Sequence, residues 1–97
     1  MQVSMRSYGN YSSDNYGAHA MQVDIGKIRL YFSYQTVIAF HEDGHCVKVR
    51  QNDWSTTTGK HLNAIDGGNK KNRLPGAEFE KELSALLKLY NLEIPGN

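Results

Sequence analysis

A chain of 97 residues is long enough for one domain and too short for two, and 39% hydrophobic with 22% charged residues describe a globular protein, not a disordered one. A formal net charge of +1 excludes a global electrostatic commitment to nucleic acid or to an anionic membrane. The single cysteine, Cys46, excludes an intrachain disulfide and with it a disulfide-framed secreted scaffold.

No apolar run approaches the roughly 20 residues of a membrane span. Residues 1–17 lack the apolar stretch of a secretory signal, so a cytoplasmic location is expected. Charge is uneven along the chain. Residues 27–73 hold eight Lys and Arg against four Asp and Glu, a mildly basic centre between slightly acidic flanks.

Residues 1–18 form a polar segment rich in Tyr, Ser and Asn, which cannot bury enough apolar area to offset its own ordering entropy. It reads either as a flexible tail or as a strap held down by Tyr8, Tyr11 and Tyr16. Residues 19–97 read as a single α+β domain. From His19 the pattern alternates with period two. Gly26-Lys27 has the form of a type II′ turn, which pairs Ile25 with Ile28, Val23 with Leu30 and Met21 with Phe32 on one face. Asp24 then lies opposite Arg29, and Gln22 opposite Tyr31, on the other face.

Asp43-Gly44 is a type I′ hairpin signal that sets Phe40 against Val47, Ile38 against Val49, His41 against Cys46 and Ala39 against Lys48. A three-residue turn at Tyr34-Gln35-Thr36 joins the two hairpins with their apolar faces in phase. A two-residue turn would mix the faces.

The Ser55-Thr56-Thr57-Thr58 run offers N-cap chemistry for a short helix through about Asp66, with Leu62 and Ile65 inward and Gly67-Gly68 ending it. Asn69 to Arg73 is a polar basic loop. Pro75-Gly76 opens a last helix in which Phe79, Leu83, Leu86, Leu87 and Tyr90 form one apolar stripe. The expected architecture is a four-stranded antiparallel β-meander with two helices packed on its apolar face.

Several features could carry function. On the outward sheet face, Tyr31 among Arg29, Lys48 and Arg50 has the makings of a small nucleic-acid platform, which Lys60, Lys70, Lys71 and Arg73 could extend. The plainer reading is a solvated face with an Asp24–Arg29 pair. A His41–Cys46 pair offers two ligands where zinc needs three or four, and a flat sheet gives a catalytic pair no oxyanion site. Gly59-Lys60-His61 lacks both the earlier glycine and the hydroxyl residue of a phosphate loop. No catalytic residue, metal or cofactor is therefore expected. Trp54, the only tryptophan, is either a lid between sheet and helix or, if exposed, an interface anchor.

Asn10-Tyr11-Ser12-Ser13-Asp14-Asn15-Tyr16-Gly17, Tyr31-Phe32-Ser33-Tyr34 with Thr36, Ala39 and Phe40, Asn52 with Trp54, and Thr57-Thr58-Gly59-Lys60-His61-Leu62-Asn63 resemble a family of small uncharacterised proteins. That family occurs mostly in tailed bacteriophages and related mobile elements. The resemblance spans roughly residues 9–83, and the Thr-Thr-Gly-Lys-His-Leu-Asn string is its most distinctive part. The family commonly has a large aromatic after that asparagine, where this chain has Ala64. The resemblance implies no activity. It implies a phage-type accessory protein of the bacterial cytosol that binds a host or defence-system protein. Nucleic-acid binding through the basic sheet face is the alternative, and the open sheet edges also allow a homodimer.

Overall fold

The turn between the first two strands read from the alternation puts Gly26 at φ +56° while Lys27 keeps a negative φ, as the first position of a type II′ turn requires. The computed structural model describes residues 3–8, 20–54 and 56–92. Its strands are β1 (Val3–Ser7), β2 (Ala20–Ile25), β3 (Ile28–Ser33), β4 (Thr36–Glu42) and β5 (Lys48–Val49). Two helices follow, α1 (Thr56–Asp66) and α2 (Gly76–Leu89), with a 3-10 turn at Lys70–Asn72 between them. The strands form one antiparallel sheet in the order β1-β2-β3-β4-β5. The α+β class and the antiparallel meander are as expected.

The β2–β3 register matches the expected one at every pair, from Ala20 against Ser33 to Ile25 against Ile28. The next two connections differ. Ser33 pairs with Thr36, so the β3–β4 turn has two residues, with Tyr34 at φ +58°. The loss of phase that argued against this turn is repaired by a bulge. Tyr31 faces Ala39 while Phe32 faces Val37, leaving Ile38 as the extra residue. At the Asp43-Gly44 hairpin only Gly44 takes a positive φ, +86°, and the His45 N–H donates to the Glu42 carbonyl at 3.0 Å. The loop is therefore longer than a type I′ turn. The register slips by one, so that Ala39 pairs with Val49 and Phe40 with Lys48.

That slip and the bulge divide the helices between the two faces. Phe79, Leu83, Leu86 and Leu87 of α2 pack with Ile28, Leu30, Val37 and Phe40. Leu62 of α1 packs with Ile38, Ala39 and Val49, joined by Tyr31 and Ile65. β4 is consequently buried on both sides, with Val37, Ile38 and Ala39 at 0% exposure. A continuous apolar run is the residue pattern for a strand covered twice, so Val37-Ile38-Ala39-Phe40 is the physical reason α1 does not share the face of α2. Helix α2 ends in a Schellman motif. Asn91 takes φ +56°, and the Leu92 N–H reaches the Leu87 carbonyl at 2.8 Å.

The N-terminal segment contributes a strand. β1 runs antiparallel to β2, from Val3 against Ile25 to Ser7 against Met21. Tyr8 then leaves the strand for the interior at 7% exposure, and its hydroxyl donates to the Phe32 carbonyl at 2.7 Å. Its ring meets Tyr31 edge-on, with centroids 5.3 Å apart. The strap reading thus holds for Tyr8, while Tyr11 and Tyr16 lie outside the described residues. Tyr8→Phe keeps the ring and leaves the Phe32 carbonyl without this donor, so it is expected to cost about 1 kcal/mol. Urea unfolding monitored by circular dichroism measures this, and an unchanged midpoint would mean the hydroxyl is not held.

Candidate partner-binding surface

The basic residues singled out in the sequence do not form one surface. Arg29 pairs with Asp24, Lys48 with Glu82 at 3.9 Å, and Arg50 with Glu80 and Asp53. Arg73 is buried against Asp66. Burial alone would raise the Asp24 carboxyl, but hydrogen bonds from Arg29 and Gln22 and the charges of Arg29 and Arg6 hold it below the usual carboxylate range. Tyr31 is half-buried under Tyr8 and beside the α1 cluster. Lys48 lies on the opposite face, in register with Phe40. Lys60, Lys70 and Lys71 stay exposed, on α1 and the 3-10 turn. The face of Tyr31 and Arg29 is therefore the face that α1 covers, and four of the basic residues, Arg29, Lys48, Arg50 and Arg73, already meet carboxylates.

The His41–Cys46 pair does not form either. The one-residue slip leaves Cys46 in the loop, exposed, beyond the β4–β5 ladder. His41 lines a cleft with Asp24, Lys27 and Asp43, whereas Cys46 borders two others. Among the described residues no group of three or more His, Cys, Asp or Glu could hold a metal ion.

The two strings that carried the resemblance meet in the interior. Ser33 Oγ lies 2.7 Å from His61 Nδ1 and 3.1 Å from Thr58 Oγ1, all three residues being buried. Tyr8 and Tyr34 flank the imidazole, with ring centroids 6.3 and 6.1 Å away. A serine and a histidine at this distance have the atoms of a nucleophile and its base. With exposures of 4% and 0% they are out of reach of a substrate, so the network locks α1 onto the sheet. The rest of the string is equally structural. A Cβ on Gly59 would stand 3.1 Å from Asn52 Nδ2, and Asn63 Oδ1 accepts from Arg73 at 3.0 Å.

What remains exposed is the ring of Trp54, stacked on Arg50. After β5 the chain is tied to the segment before α2. The Leu74 N–H donates to Val49 and the Gln51 N–H to Leu74, both at 2.8 Å. Asn52 Oδ1 then accepts the Trp54 N–H at 3.0 Å, a local turn that fixes the tryptophan backbone. The Arg50 guanidinium lies 4.7 Å from the centre of the Trp54 ring. Its Nη1 pairs with Glu80 and its Nη2 approaches Asp53 at 3.5 Å, while its side chain is only 15% exposed. Gly76 makes room for it, because a Cβ there would stand 2.7 Å from Arg50 Nη2. Trp54 itself is 45% exposed. Trp54 is therefore not a covered lid between sheet and helix.

A second exposed feature went unread in the sequence. The β4–β5 loop and α2 enclose a cleft of about 340 Å³ with Phe40, Leu86 and Leu89 among its apolar walls and Glu42, His45 and Lys48 among its charged ones. Leu89 at its edge is 70% exposed. Its sequence signal was a leucine off the α2 stripe, which binary patterning counts as a surface exception.

A family model described as Family of unknown function (DUF8033) matches residues 1–81. The chain belongs to that family. No curated protein and no solved structure matches it. The DUF8033 match takes in the whole sheet and α1 and ends within α2, so it includes Trp54 and the residues around its ring, Arg50, Asp53, Gly76 and Glu80. No helix among the described residues is long and apolar enough to cross a membrane.

Proposed function

We propose that this DUF8033 chain is a non-catalytic binding protein, a phage-type accessory protein that acts in the bacterial cytosol by engaging a host or defence-system protein. The observation that carries this reading is Trp54, 45% exposed on a support built from Arg50, Glu80 and Asp53. A large aromatic stacked on a guanidinium in its unbound state has less freedom to lose on binding than a bare side chain, and tryptophan and arginine dominate the energetic centres of protein interfaces. The phage setting comes from the resemblance of the Tyr-Phe-Ser-Tyr and Thr-Thr-Gly-Lys-His-Leu-Asn strings.

The test is capture of tagged protein from bacterial lysate, with and without nuclease, using wild type and Trp54→Ala. One stoichiometric protein should survive nuclease with wild type. Its affinity should fall by about 30-fold with Trp54→Ala, the loss typical of a central anchor. Circular dichroism of the variant should be unchanged, since the ring is half in solvent. Capture that depends on nucleic acid and weakens steeply with salt would overturn the reading in favour of nucleic-acid binding. Equal capture by Trp54→Ala would remove the anchor.

A further inference from the structure

The two edges of the sheet are treated differently. β5 is two residues long and carries Lys48, and the chain beyond it is closed by a parallel bridge between Arg50 and Leu74. Shortness, a charged residue and a covering segment are the devices by which native edges avoid pairing with another chain. β1 has only the second of them, in Arg6. It is five residues long, fully exposed, without lysine, proline or bulge, and among the described residues no strand pairs with its outer side.

The direction of its backbone groups follows from one hydrogen bond. The Tyr8 N–H donates to the Ala20 carbonyl at 2.9 Å, and Tyr8 continues the register that sets Arg6 against Gln22 and Ser4 against Asp24. Antiparallel strands bond through alternate residues, so Ser4 and Arg6 bond inward to β2. The N–H and C=O groups of Val3 and Met5 therefore face the outer edge. Their side chains lie in the row of Ile25 and Val23, on the face that α2 covers only farther along the sheet. Val3 is 57% exposed and Met5 66%.

We propose that β1 is a homodimer interface, in which a second copy of this chain pairs its own β1 antiparallel to the first about a two-fold axis at Ser4. This register uses only the outward groups of Val3 and Met5. Val3 of one copy exchanges both backbone hydrogen bonds with Met5 of the other, and the symmetry repeats the exchange. Each apolar side chain then lies against an apolar one, and the exposed strip of the two copies becomes continuous. On the opposite face Ser4 meets Ser4, and no charge stands opposite a like charge. Arg6 of each copy comes diagonal to the other's Ser4, whose hydroxyl lies 3.4 Å from the Asp24 carboxylate. The interface is thus self-complementary in hydrogen bonding and in apolar contact, and it sets no like charges opposite each other. A strand from an unrelated protein would satisfy only the first of these without further assumption.

The experiment is sedimentation equilibrium of the full chain over a wide concentration range, paired with amide hydrogen exchange. Wild type should reach twice the mass of the single chain at high concentration. The Val3 and Met5 amides should become protected in step with the dimer, while Ser4 and Arg6 are protected at every concentration. Met5→Pro removes an outward N–H and no bond to β2, and should return the protein to a monomer with its circular dichroism intact. Met5→Lys sets a charge against Val3 of the second copy and should do the same, which keeps the test valid if the proline variant folds poorly. A wild type that stays monomeric at every concentration overturns the proposal, as does a dimer that survives both substitutions. Protection of Ser4 and Arg6 that rises with concentration, with Val3 and Met5 unchanged, would overturn the register.

Discussion

Phe79→Ala is expected to destabilise the protein by about 3–5 kcal/mol, close to the largest loss any single core truncation produces. Phe79 is 0% exposed and sits where the first turn of α2 meets the sheet, its ring centroid 5.4 Å from that of Phe40. Leu30, Leu83 and Val37 belong to the same cluster, at 2%, 1% and 0% exposure. Truncation forfeits the transfer free energy of the ring and leaves a void that a sheet and a helix cannot close by rotamer changes alone. A domain of this size is stabilised by roughly 5–15 kcal/mol in total, so the variant stands near the unfolding threshold at room temperature. Its melting temperature should fall by roughly 15 °C or more. Urea titration gives the decisive contrast. Phe79→Ala should shift the midpoint far while leaving the slope unchanged, and Leu89→Ala, on the same helix but 70% exposed, should barely move it. Similar small shifts for both would mean that α2 is not packed on this face.

The helix that carries Phe79 was also the element most legible in the sequence, because five apolar positions at helical spacing agree with a Pro-Gly opening. The β2–β3 hairpin was legible for a comparable reason: its turn residues and its alternation point to one register. The two connections that were misread each involve one residue more or fewer than the simplest turn. A bulge at Ile38 absorbs the two-residue turn at Tyr34-Gln35, and a longer loop around Gly44 slides β5 by one position. Local propensity does not register such shifts, because they are decided by which side chains the two helices bury. The slip matters for function, since it removes Cys46 from His41 and turns Lys48 toward Glu82.

β1 was hidden for a different reason. Val3-Ser4-Met5-Arg6-Ser7 does alternate, but a five-residue edge strand has one ladder and no helix above it, so its composition stays that of a tail. At the candidate surface, Trp54 was visible as a lone aromatic at a strand-to-helix transition. Its support was not visible, because Arg50, Gly76 and Glu80 come together only through the Arg50–Leu74 bridge. The same long-range closure concealed Arg73. Lys70-Lys71-Asn72-Arg73 reads as a solvated basic turn, and three of its four residues are exposed.

Removing Arg73 should therefore cost far more than its setting in a basic loop implies. Its side chain is 4% exposed and that of Asp66 10%. Arg73 Nε donates to Asp66 Oδ2 at 2.7 Å and Nη2 to Asp66 Oδ1 at 2.9 Å, a two-pronged pair. The same Nη2 donates to Asn63, and the Gly68 N–H donates to Asp66 at 2.9 Å. Arg73→Met keeps most of the volume and leaves a buried carboxylate without its cation, so a loss of about 3–5 kcal/mol is expected at pH 7. The dependence on pH identifies the cause. In the wild type, burial would raise the Asp66 carboxyl, but the Arg73 hydrogen bonds, the Gly68 N–H, the Arg73 charge and the Asn69 N–H together hold it below its ordinary value. A carboxyl depressed in the folded state binds protons more readily when unfolded. Its contribution is complete above the unfolded value near 3.9 and fades as pH falls toward the folded value. Asp24, depressed by Arg29 and Gln22 against its own burial, has the same sign. In Arg73→Met the burial of Asp66 persists without the guanidinium, so its carboxyl should rise above the ordinary range and protonation should favour the folded state. The stability gap between wild type and variant should therefore narrow as pH is lowered from 7 to 4. A gap that stays constant over that range would assign the loss to packing of the arginine stem, and the ion pair would not be what holds α1 to the segment before α2.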